Sequence, residues 1–257
     1  MSYIEIKDVT RTYPLRGQEF TALSHVDLTI ERGEFICLLG PSGCGKSTLL
    51  NMLAGFDRPT TGSLTIDGQP VTAPTIKYVT IFQNYGLLPW RTVEHNVELG
   101  LESLGRPAAE RRAIADKYLE LVGLSDFRDR HPAELSGGMQ QRVAIARALA
   151  VDPEILFMDE PFAALDALTR MKLQDEISAI CREQHKTIIF VTHDIDEAIV
   201  LADRIVIMTP NPGHIKSIIK VDLHGRRDRT SPDFLHIRDK VFTEFSLKPE
   251  DKTEYYI

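Results

Sequence analysis

The chain has 257 residues, of which 43% are hydrophobic and 26% charged, a composition that is ordinary for a globular protein. This length can bury the core of one large α/β domain, or of one domain with a smaller helical lobe. The formal net charge of −7 gives no electrostatic reason for nonspecific binding to nucleic acid or to an anionic bilayer, so we expect no nucleic-acid partner.

The cysteines and the apolar stretches indicate where the protein works. Cys37, Cys44 and Cys181 are odd in number and lack metal-ligand spacing, so we expect reduced thiols in a cytosolic protein. The charged, alternating start of the chain does not resemble a signal peptide. The most apolar stretches are strand-sized, far below the roughly 18–20 residues of a membrane-spanning helix. We therefore expect any contact with a membrane to go through a partner protein.

The N-terminal part of the chain predicts two kinds of strand. Apolar and polar positions alternate over roughly the first 35 residues, which predicts antiparallel strands with one solvent-facing side. The continuous apolar run Phe35–Leu39 then ends in a glycine, as is typical of a buried parallel strand. Helical spacing follows over residues 47–54, and short strands are predicted at 63–67 and 78–82.

Residues 92 to about 150 predict a helical insertion, after which strands and helices alternate again. Helices are predicted over 94–103, 107–122 and 136–150, then strands at 155–158, Thr187–Thr192 and 204–208, separated by helices at 168–183 and 195–202. A turn at 210–213 precedes a polar tail. The pattern predicts a parallel-sheet α/β domain over 1–220, a helical subdomain inserted at about 92–150, and a tail over 221–257 with a short helix.

The loop after the first buried strand matches the Walker A pattern of phosphate-binding loops. Its nine positions are Gly40, Pro41, Ser42, Gly43, Cys44, Gly45, Lys46, Ser47 and Thr48. Glycines let backbone N–H groups turn inward around phosphate oxygens, and the following helix adds the positive end of its dipole. We expect Lys46 to contact the β- and γ-phosphates of ATP, and the Ser47 hydroxyl to ligate Mg²⁺. The alternative, a glycine-rich turn that only permits tight packing, does not explain why all nine positions fit.

Two carboxylates, Asp159 and Glu160, end the apolar strand predicted at 155–158. The carboxyl edge of a parallel sheet is where such folds place their ligands. We expect Asp159 to reach the Mg²⁺ shell through a water molecule, and Glu160 to act as general base toward the attacking water. Strands often end in solvated acids, so this interpretation depends on the neighbouring phosphate loop.

A second candidate anion site opens the helix predicted at 136–150. Ser136 is a good N-cap, and Gly137 and Gly138 expose backbone N–H groups at the positive end of that helix. An ordinary capped helix is the alternative. Because a phosphate loop usually leaves its nucleotide partly open, donors of this kind from a second protomer could close it.

In combination, these motifs resemble the nucleotide-binding subunit of ATP-binding cassette (ABC) transporters over nearly the whole chain. The family signature LSGGQ stands here as LSGGM at 135–139, and methionine is a common variant at its fifth position. The resemblance implies an α/β P-loop NTPase fold with a RecA-like core, an antiparallel β subdomain and a helical signature subdomain. It also implies a homodimer with two ATP molecules, each held between the Walker A loop of one copy and the signature of the other. The signature residues are Ser136, Gly137, Gly138 and Gln140.

Other family positions follow from the same resemblance. Tyr13 corresponds to an aromatic residue that stacks on adenine, with a strand-edge tyrosine as the alternative. Gln83 corresponds to the glutamine that touches Mg²⁺ and senses the membrane subunit, and Asp166 to a loop that crosses between protomers. His193 corresponds to the switch histidine that contacts the γ-phosphate. With Glu160, Lys46 and Gln83, it completes the implied catalytic set.

The segment after Gln83 and the tail resemble one importer branch of the family. Leu88, Pro89 and Trp90 lie where the family receives a coupling helix of the membrane subunit, with packing of Trp90 into the core as the alternative. Together with 164–170, 212–215 and 226–232, they resemble importers of nitrate, sulfonates, taurine and related small anions, the sulfonate and taurine end slightly more closely. The implied partners are two integral membrane permease subunits and, indirectly, a periplasmic or extracellular solute-binding protein. The implied location is peripheral, at the cytoplasmic face of the inner or plasma membrane.

Two other classes of protein are less compatible with the sequence. An ABC ATPase that moves no solute typically carries tandem cassettes, or long coiled-coil or zinc insertions, and this sequence has one cassette and neither insertion. A P-loop kinase or GTPase has no use for the Ser136 motif, and no Asn-Lys-x-Asp guanine motif occurs in the sequence.

Overall fold

The fold is known from a computed structural model, which describes residues 2–15, 17–223 and 227–245, Leu15 by its backbone only. The strands are β1 (Ile4–Leu15), β2 (Gln18–Ile30), β3 (Phe35–Leu39), β4 (Thr61–Ile66), β5 (Gln69–Pro70), β6 (Tyr78–Ile81), β7 (Ile155–Asp159), β8 (Thr187–Thr192), β9 (Arg204–Thr209) and β10 (His214–Lys220). The helices are α1 (Lys46–Leu53), α2 (Val93–Ser103), α3 (Ala108–Leu121), α4 (Gly137–Ala150), α5 (Ala167–Glu183), α6 (Ile195–Leu201) and α7 (Pro232–Phe245).

The smaller of two sheets is antiparallel and has the strand order β2-β1-β4-β5. Buried and exposed side chains alternate toward the end of β2. Because successive side chains of a strand point to opposite faces, one face of this sheet packs on the core and the other meets solvent.

The larger sheet has the strand order β10-β9-β3-β8-β7-β6, and its neighbouring strands are parallel except for β10 against β9. Its central strand β3 is buried throughout and contributes side chains to two hydrophobic cores. Cys37 and Leu39 pack on the side of the helical subdomain, whereas Ile36 and Leu38 pack on the side of α1 and the antiparallel sheet. Helices α2, α3 and α4 lie between β6 and β7 in the sequence, and they pack on one another. The predicted P-loop NTPase architecture is confirmed.

The predicted elements are present with ends shifted by at most two residues, but the prediction of a tail directly after 210–213 is wrong. Residues His214–Lys220 form the antiparallel edge strand β10, most of whose side chains are exposed or half-buried. An edge strand lacks the apolar run that marks a buried strand. The mixed composition of residues 214–220 was therefore interpreted as part of a polar tail. Further on, the tail contains α7, and residues 246–257 lie outside the described part. No helix in the described ranges is both long enough and apolar enough to cross a bilayer.

Candidate functional site

The phosphate loop connects the central strand β3 to α1, and Lys46 lies at its centre. The Lys46 side chain is buried, and its ammonium donates hydrogen bonds to the carbonyl oxygens of Gly40 (2.7 Å) and Pro41 (3.0 Å). The loop thus curls around a positive charge at the N-terminus of a helix, where the helix dipole is also positive. This arrangement suits a phosphate group, which can exchange with the carbonyl oxygens as the partner of the ammonium.

Gly45 is the position in this loop that most clearly requires glycine. It has a φ of 93° immediately before α1. A Cβ there would lie 2.4 Å from Leu23 Cδ2 and 3.0 Å from the Ala22 carbonyl oxygen. A glycine at this position therefore allows both the sharp turn into α1 and the close approach of β2 to the phosphate loop.

We expect Gly45→Ala to lower the free energy of unfolding by about 2–4 kcal/mol, because a strained φ and a steric clash combine. Gly68→Ala is the matched control, since Gly68 has a φ of 71° but no heavy atom within 4 Å of the added Cβ. The control should lose only about 1 kcal/mol. Urea unfolding of both variants measures the difference, and equal losses would contradict the tight approach of β2.

Asp159 ends β7 beside the phosphate loop, as predicted for a residue of the metal shell. The Ser47 hydroxyl donates to Asp159 Oδ1 at 3.1 Å. Burial raises the pKa of Asp159 above its usual value, and the hydrogen bond from Ser47 opposes that rise. Hydroxyl and carboxylate oxygens are ligands that Mg²⁺ prefers, so this pair fits that cation.

Glu160 meets Gln83 and His193 at the carboxyl edge of the larger sheet. Gln83 Nε2 donates to Glu160 Oε2 at 3.4 Å, and His193 Nδ1 lies 3.0 Å from Glu160 Oε1. The three residues follow β6, β7 and β8, which are adjacent in the sheet. Because parallel strands end at the same edge, residues far apart in the chain converge here. The backbone of Glu160 has a φ of 47°, in the left-handed region where non-glycine residues are uncommon.

A cavity of about 520 Å³ joins the loop to these acids. It is lined by Phe20, Ala22, Ser42, Gly43, Gly45, Lys46, Ser47, Thr48, Gln83, Asp159, Glu160 and His193. Positive charge lies at one wall and two carboxylates at the other, the arrangement needed to hold a phosphate chain with a divalent cation.

Tyr13, the residue expected to stack on adenine, is not among the residues that line this cavity. Its hydroxyl donates to Asp57 Oδ2 at 2.6 Å, and the Arg11 guanidinium covers its ring at 4.2 Å from the centroid. Its cross-strand partner Phe20, which is 49% exposed, lines the cavity instead. The sequence pattern did not single out Phe20, because its exposure and its place at the cavity follow only from the fold.

The signature residues lie at the N-terminus of α4 and are not part of this cavity. The Ser136 side chain caps α4 by accepting from the Met139 N–H, and Gln140 Nε2 donates to the Leu135 carbonyl oxygen. A Cβ added to Gly137 would lie 3.0 Å from the Tyr85 hydroxyl, and one added to Gly138 would lie 3.1 Å from the Ala164 carbonyl oxygen. The two candidate anion sites of the sequence analysis therefore lie apart in the described chain.

Asp166 begins α5 and holds a local cap. Its carboxylate accepts from the Thr169 N–H at 3.0 Å, and hydrogen bonds from Thr169 hold the pKa of Asp166 below its usual value. The Asp166 side chain is thus used within its own loop.

The segment that contains Leu88, Pro89 and Trp90 is fixed by a residue that the sequence analysis did not single out. Asn96 of α2 is fully buried, accepts from the Leu88 N–H at 2.8 Å and donates back to the Leu88 carbonyl oxygen at 3.1 Å. Trp90 is 72% exposed, so it does not pack into the core. A rigidly held, exposed tryptophan is typical of a protein-binding surface.

Arg147 of α4 was also missed, and it joins the signature helix to the segment after Gln83. Its guanidinium donates to the carbonyl oxygens of Tyr85 (2.8 Å) and Gly86 (2.7 Å). Burial lowers the pKa of Arg147 below its usual value. Arginine inside a helical subdomain has no local signal that would distinguish it from a surface residue.

Comparison with known proteins gives a consistent result. Residues 23–163 match the family described as ABC transporter. The ABC transporter ATP-binding protein MJ0412 of Methanocaldococcus jannaschii is 50% identical over 238 residues, which is 93% of this chain and 89% of that protein. The bicarbonate transport ATP-binding protein CmpD of Synechocystis is 47% identical over 89% of this chain and 82% of its own length.

A longer relative and a solved structure add to this. The bicarbonate transport ATP-binding protein CmpC of Synechococcus elongatus is 47% identical over 93% of this chain, which spans only 37% of that protein. The ATP-binding cassette MJ0796, solved as a dimer in a post-hydrolysis state with ADP and Pi, superposes with a TM-score of 0.80 at 36% identity. The alignment covers 86% of this chain and all of that one.

Proposed function

Because the chain belongs to the ABC transporter family, we propose that it is the ATPase subunit of an importer for a small anion. The protein is an ABC-type ATPase that binds ATP and hydrolyses it to ADP and phosphate. What is proposed beyond that is the role of each residue, the partners and the solute. The convergence of Gln83, Glu160 and His193 beside the phosphate loop supports the proposed roles in hydrolysis, and the relatives named for bicarbonate transport support anion import.

For nucleotide binding, Lys46 holds the β- and γ-phosphates after its ammonium leaves the Gly40 and Pro41 carbonyl oxygens. Ser47 and, through water, Asp159 would hold Mg²⁺, and Gln83 would contact the same ion. When bound, Mg²⁺ neutralises charge on the phosphate oxygens. Tyr13 would have to leave its hydrogen bond with Asp57 to stack on adenine, whereas Phe20 already lines the cavity.

For hydrolysis, Glu160 is the general base that takes a proton from the attacking water. Gln83 contacts one carboxylate oxygen of Glu160, and His193 contacts the other. We propose that both side chains turn away when ATP enters, His193 toward the γ-phosphate and Gln83 toward the metal. The carboxylate is then free to accept from water.

The ATP site is proposed to be complete only in a homodimer. One protomer's cavity is open, and the capped N-terminus of α4 with Ser136, Gly137, Gly138 and Gln140 lies elsewhere on the chain. A second copy can bring these donors to the γ-phosphate, and Asp166 then lies in the loop between protomers. The relative MJ0796 has been solved as a dimer, which supports this arrangement.

Two integral membrane permease subunits are the proposed partners, with Leu88, Pro89 and Trp90 as the docking residues. These subunits would hold the chain at the cytoplasmic face of the membrane and take the solute from a periplasmic or extracellular binding protein. The exposure of Trp90 supports docking over core packing.

We expect Trp90→Ala to weaken association with the permease subunits by about 10-fold or more, since exposed tryptophans are frequent interface anchors. Basal hydrolysis should change less than about twofold, because Trp90 lies outside the nucleotide cavity. Phe242→Ala is the control, as Phe242 is also an exposed aromatic side chain but lies on α7. Copurification with permeases in membranes and ATPase rates measure the two effects. Equal losses of binding and hydrolysis would contradict a docking role.

The proposed solute is a small anion. The importers that the sequence resembles take nitrate, sulfonates and taurine, and the relatives CmpC and CmpD are named as bicarbonate transport ATP-binding proteins. Uptake of these four anions in cells with the wild-type chain, with Lys46→Ala and without the chain tests the proposal. Uptake of one of these solutes that is lost in the Lys46→Ala cells would support the proposal. Unchanged uptake of all of them in cells without the chain would contradict it.

A further inference from the structure

The segment 227–230, which precedes α7, is attached to the end of α6 by a buried arginine. The side chain of Arg227 is only 4% exposed and donates to the carbonyl oxygens of Ile199 (2.8 Å), Val200 (3.2 Å) and Ala202 (2.6 Å). These are carbonyl groups at the C-terminus of a helix, which lack partners within the helix. The segment is therefore fixed to the helix that directly follows His193.

A second arginine of this segment reaches into the core. Arg229 Nη2 donates to Gln174 Oε1 at 2.9 Å, and Gln174 Nε2 donates to Glu197 Oε1 at 3.0 Å. Gln174 is fully buried. Because a guanidinium can only donate, the amide oxygen must face Arg229, which leaves the amide NH₂ for Glu197. Arg229 and the Glu197 carboxylate together fix which way the Gln174 amide points.

Glu197 in turn holds the backbone on both sides of His193. The Thr192 hydroxyl donates to Glu197 Oε2 at 2.8 Å and accepts from the Asp194 N–H at 3.0 Å. Asp194 caps α6 by accepting from the Glu197 N–H at 3.0 Å. This closed set of hydrogen bonds fixes the turn in which His193 stands, 3.0 Å from Glu160.

Glu197 also approaches the loop of Asp166. Arg170 Nε lies 3.8 Å from Glu197 Oε1, and Arg170 Nη2 donates to the Leu165 carbonyl oxygen at 3.0 Å. One buried carboxylate is thus shared by the turn around His193, by the loop before α5 and, through Gln174, by the C-terminal segment.

We propose that Arg229 is a positioning residue for ATP hydrolysis, acting through Gln174 and Glu197 on the turn that holds His193. This rests on the proposed role of His193. Without Arg229, the buried Gln174 oxygen loses its donor, and the amide is free to turn away from Glu197. The hydroxyl of Thr192 then has a less fixed partner, and His193 spends less time in the orientation that hydrolysis needs. Lys46 and the phosphate loop are not in this network, so ATP binding is unaffected.

The test is steady-state hydrolysis by the full chain, at protein concentrations where dimers form. Arg229→Gln should lower kcat by about 10-fold, the scale of a small misplacement of a catalytic group. The affinity for a non-hydrolysable ATP analogue should stay within about twofold. Arg229→Lys should restore much of kcat, since an ammonium can still donate to Gln174. Lys240→Gln is the control for charge loss, because Lys240 is an exposed lysine of α7 outside this network.

Gln174→Met cuts the same network at its centre while keeping a similar volume. It should lower kcat like Arg229→Gln, and the double variant should be no slower than either single one. An unchanged kcat in Arg229→Gln, additive losses in the double variant or an equal loss in Arg229→Lys would each overturn the proposal. If Gln174→Met does not fold, the comparison of Arg229→Gln with Arg229→Lys decides. His193→Ala distinguishes failure of the Arg229 proposal from failure of the proposed role of His193. Normal hydrolysis in that variant would contradict the role of His193 itself, whatever Arg229 does.

Discussion

Replacement of Glu160 by glutamine is expected to slow ATP hydrolysis at least about 100-fold while MgATP still binds. Glutamine keeps the shape and the hydrogen-bonding oxygen of the side chain but cannot take a proton from water. The change leaves the phosphate loop intact, because Glu160 contacts Gln83 and His193 rather than Lys46. The variant should therefore accumulate as a nucleotide-bound dimer. Single-turnover hydrolysis and size-exclusion chromatography with and without MgATP measure the two effects.

The control for this prediction is Glu183→Gln, the same chemical change at an exposed position at the end of α5. It should hydrolyse ATP at the wild-type rate. Near-normal turnover by Glu160→Gln would rule out Glu160 as the general base. Loss of ATP binding in that variant would instead indicate that Glu160 holds the nucleotide.

Replacement of Lys46 by alanine is expected to abolish tight ATP binding. Hydrogen bonds to charged groups contribute about 1.5–3 kcal/mol each, so each lost phosphate contact weakens affinity by roughly 10- to 150-fold. The buried position of the ammonium strengthens its interaction with phosphate, because less water screens the charge. Equilibrium binding of a fluorescent ATP analogue measures the loss.

Lys46 also donates to two carbonyl oxygens of its own loop in the free protein, so folding must be checked separately. Thermal unfolding without nucleotide gives that check. Lys77→Ala is a suitable control, because Lys77 is an exposed lysine that pairs with Glu154 away from the cavity. Unchanged ATP affinity in a folded Lys46→Ala protein would contradict the phosphate-binding role of the loop.

Local sequence was sufficient for the phosphate loop, the buried strands and the helical insertion. A phosphate cradle needs consecutive residues, because its N–H donors come from adjacent peptide groups. The apolar run before the loop and the helix after it were also predictable within two residues, because each follows from a pattern of neighbouring residues. Motifs of this kind also carried the family resemblance, which the comparisons bear out.

Local sequence was misleading where a residue's role depends on a distant partner. The edge strand β10 has few buried side chains, so only its pairing with β9 reveals it. Tyr13 and Phe20 face each other across β1 and β2, and only the packing of Arg11 and Asp57 around Tyr13 leaves Phe20 at the cavity.

The nine-residue phosphate loop was thus determined by the sequence itself, whereas the surroundings that make it an active site were decided by the tertiary structure. Gln83, Glu160 and His193 meet because β6, β7 and β8 lie side by side, and strand order is a property of long-range pairing. The hydrogen bonds from Arg229 to Gln174 and Glu197 likewise join three separate segments. A sequence window contains no information on such contacts, because their stability comes from burial that exists only after the chain has folded.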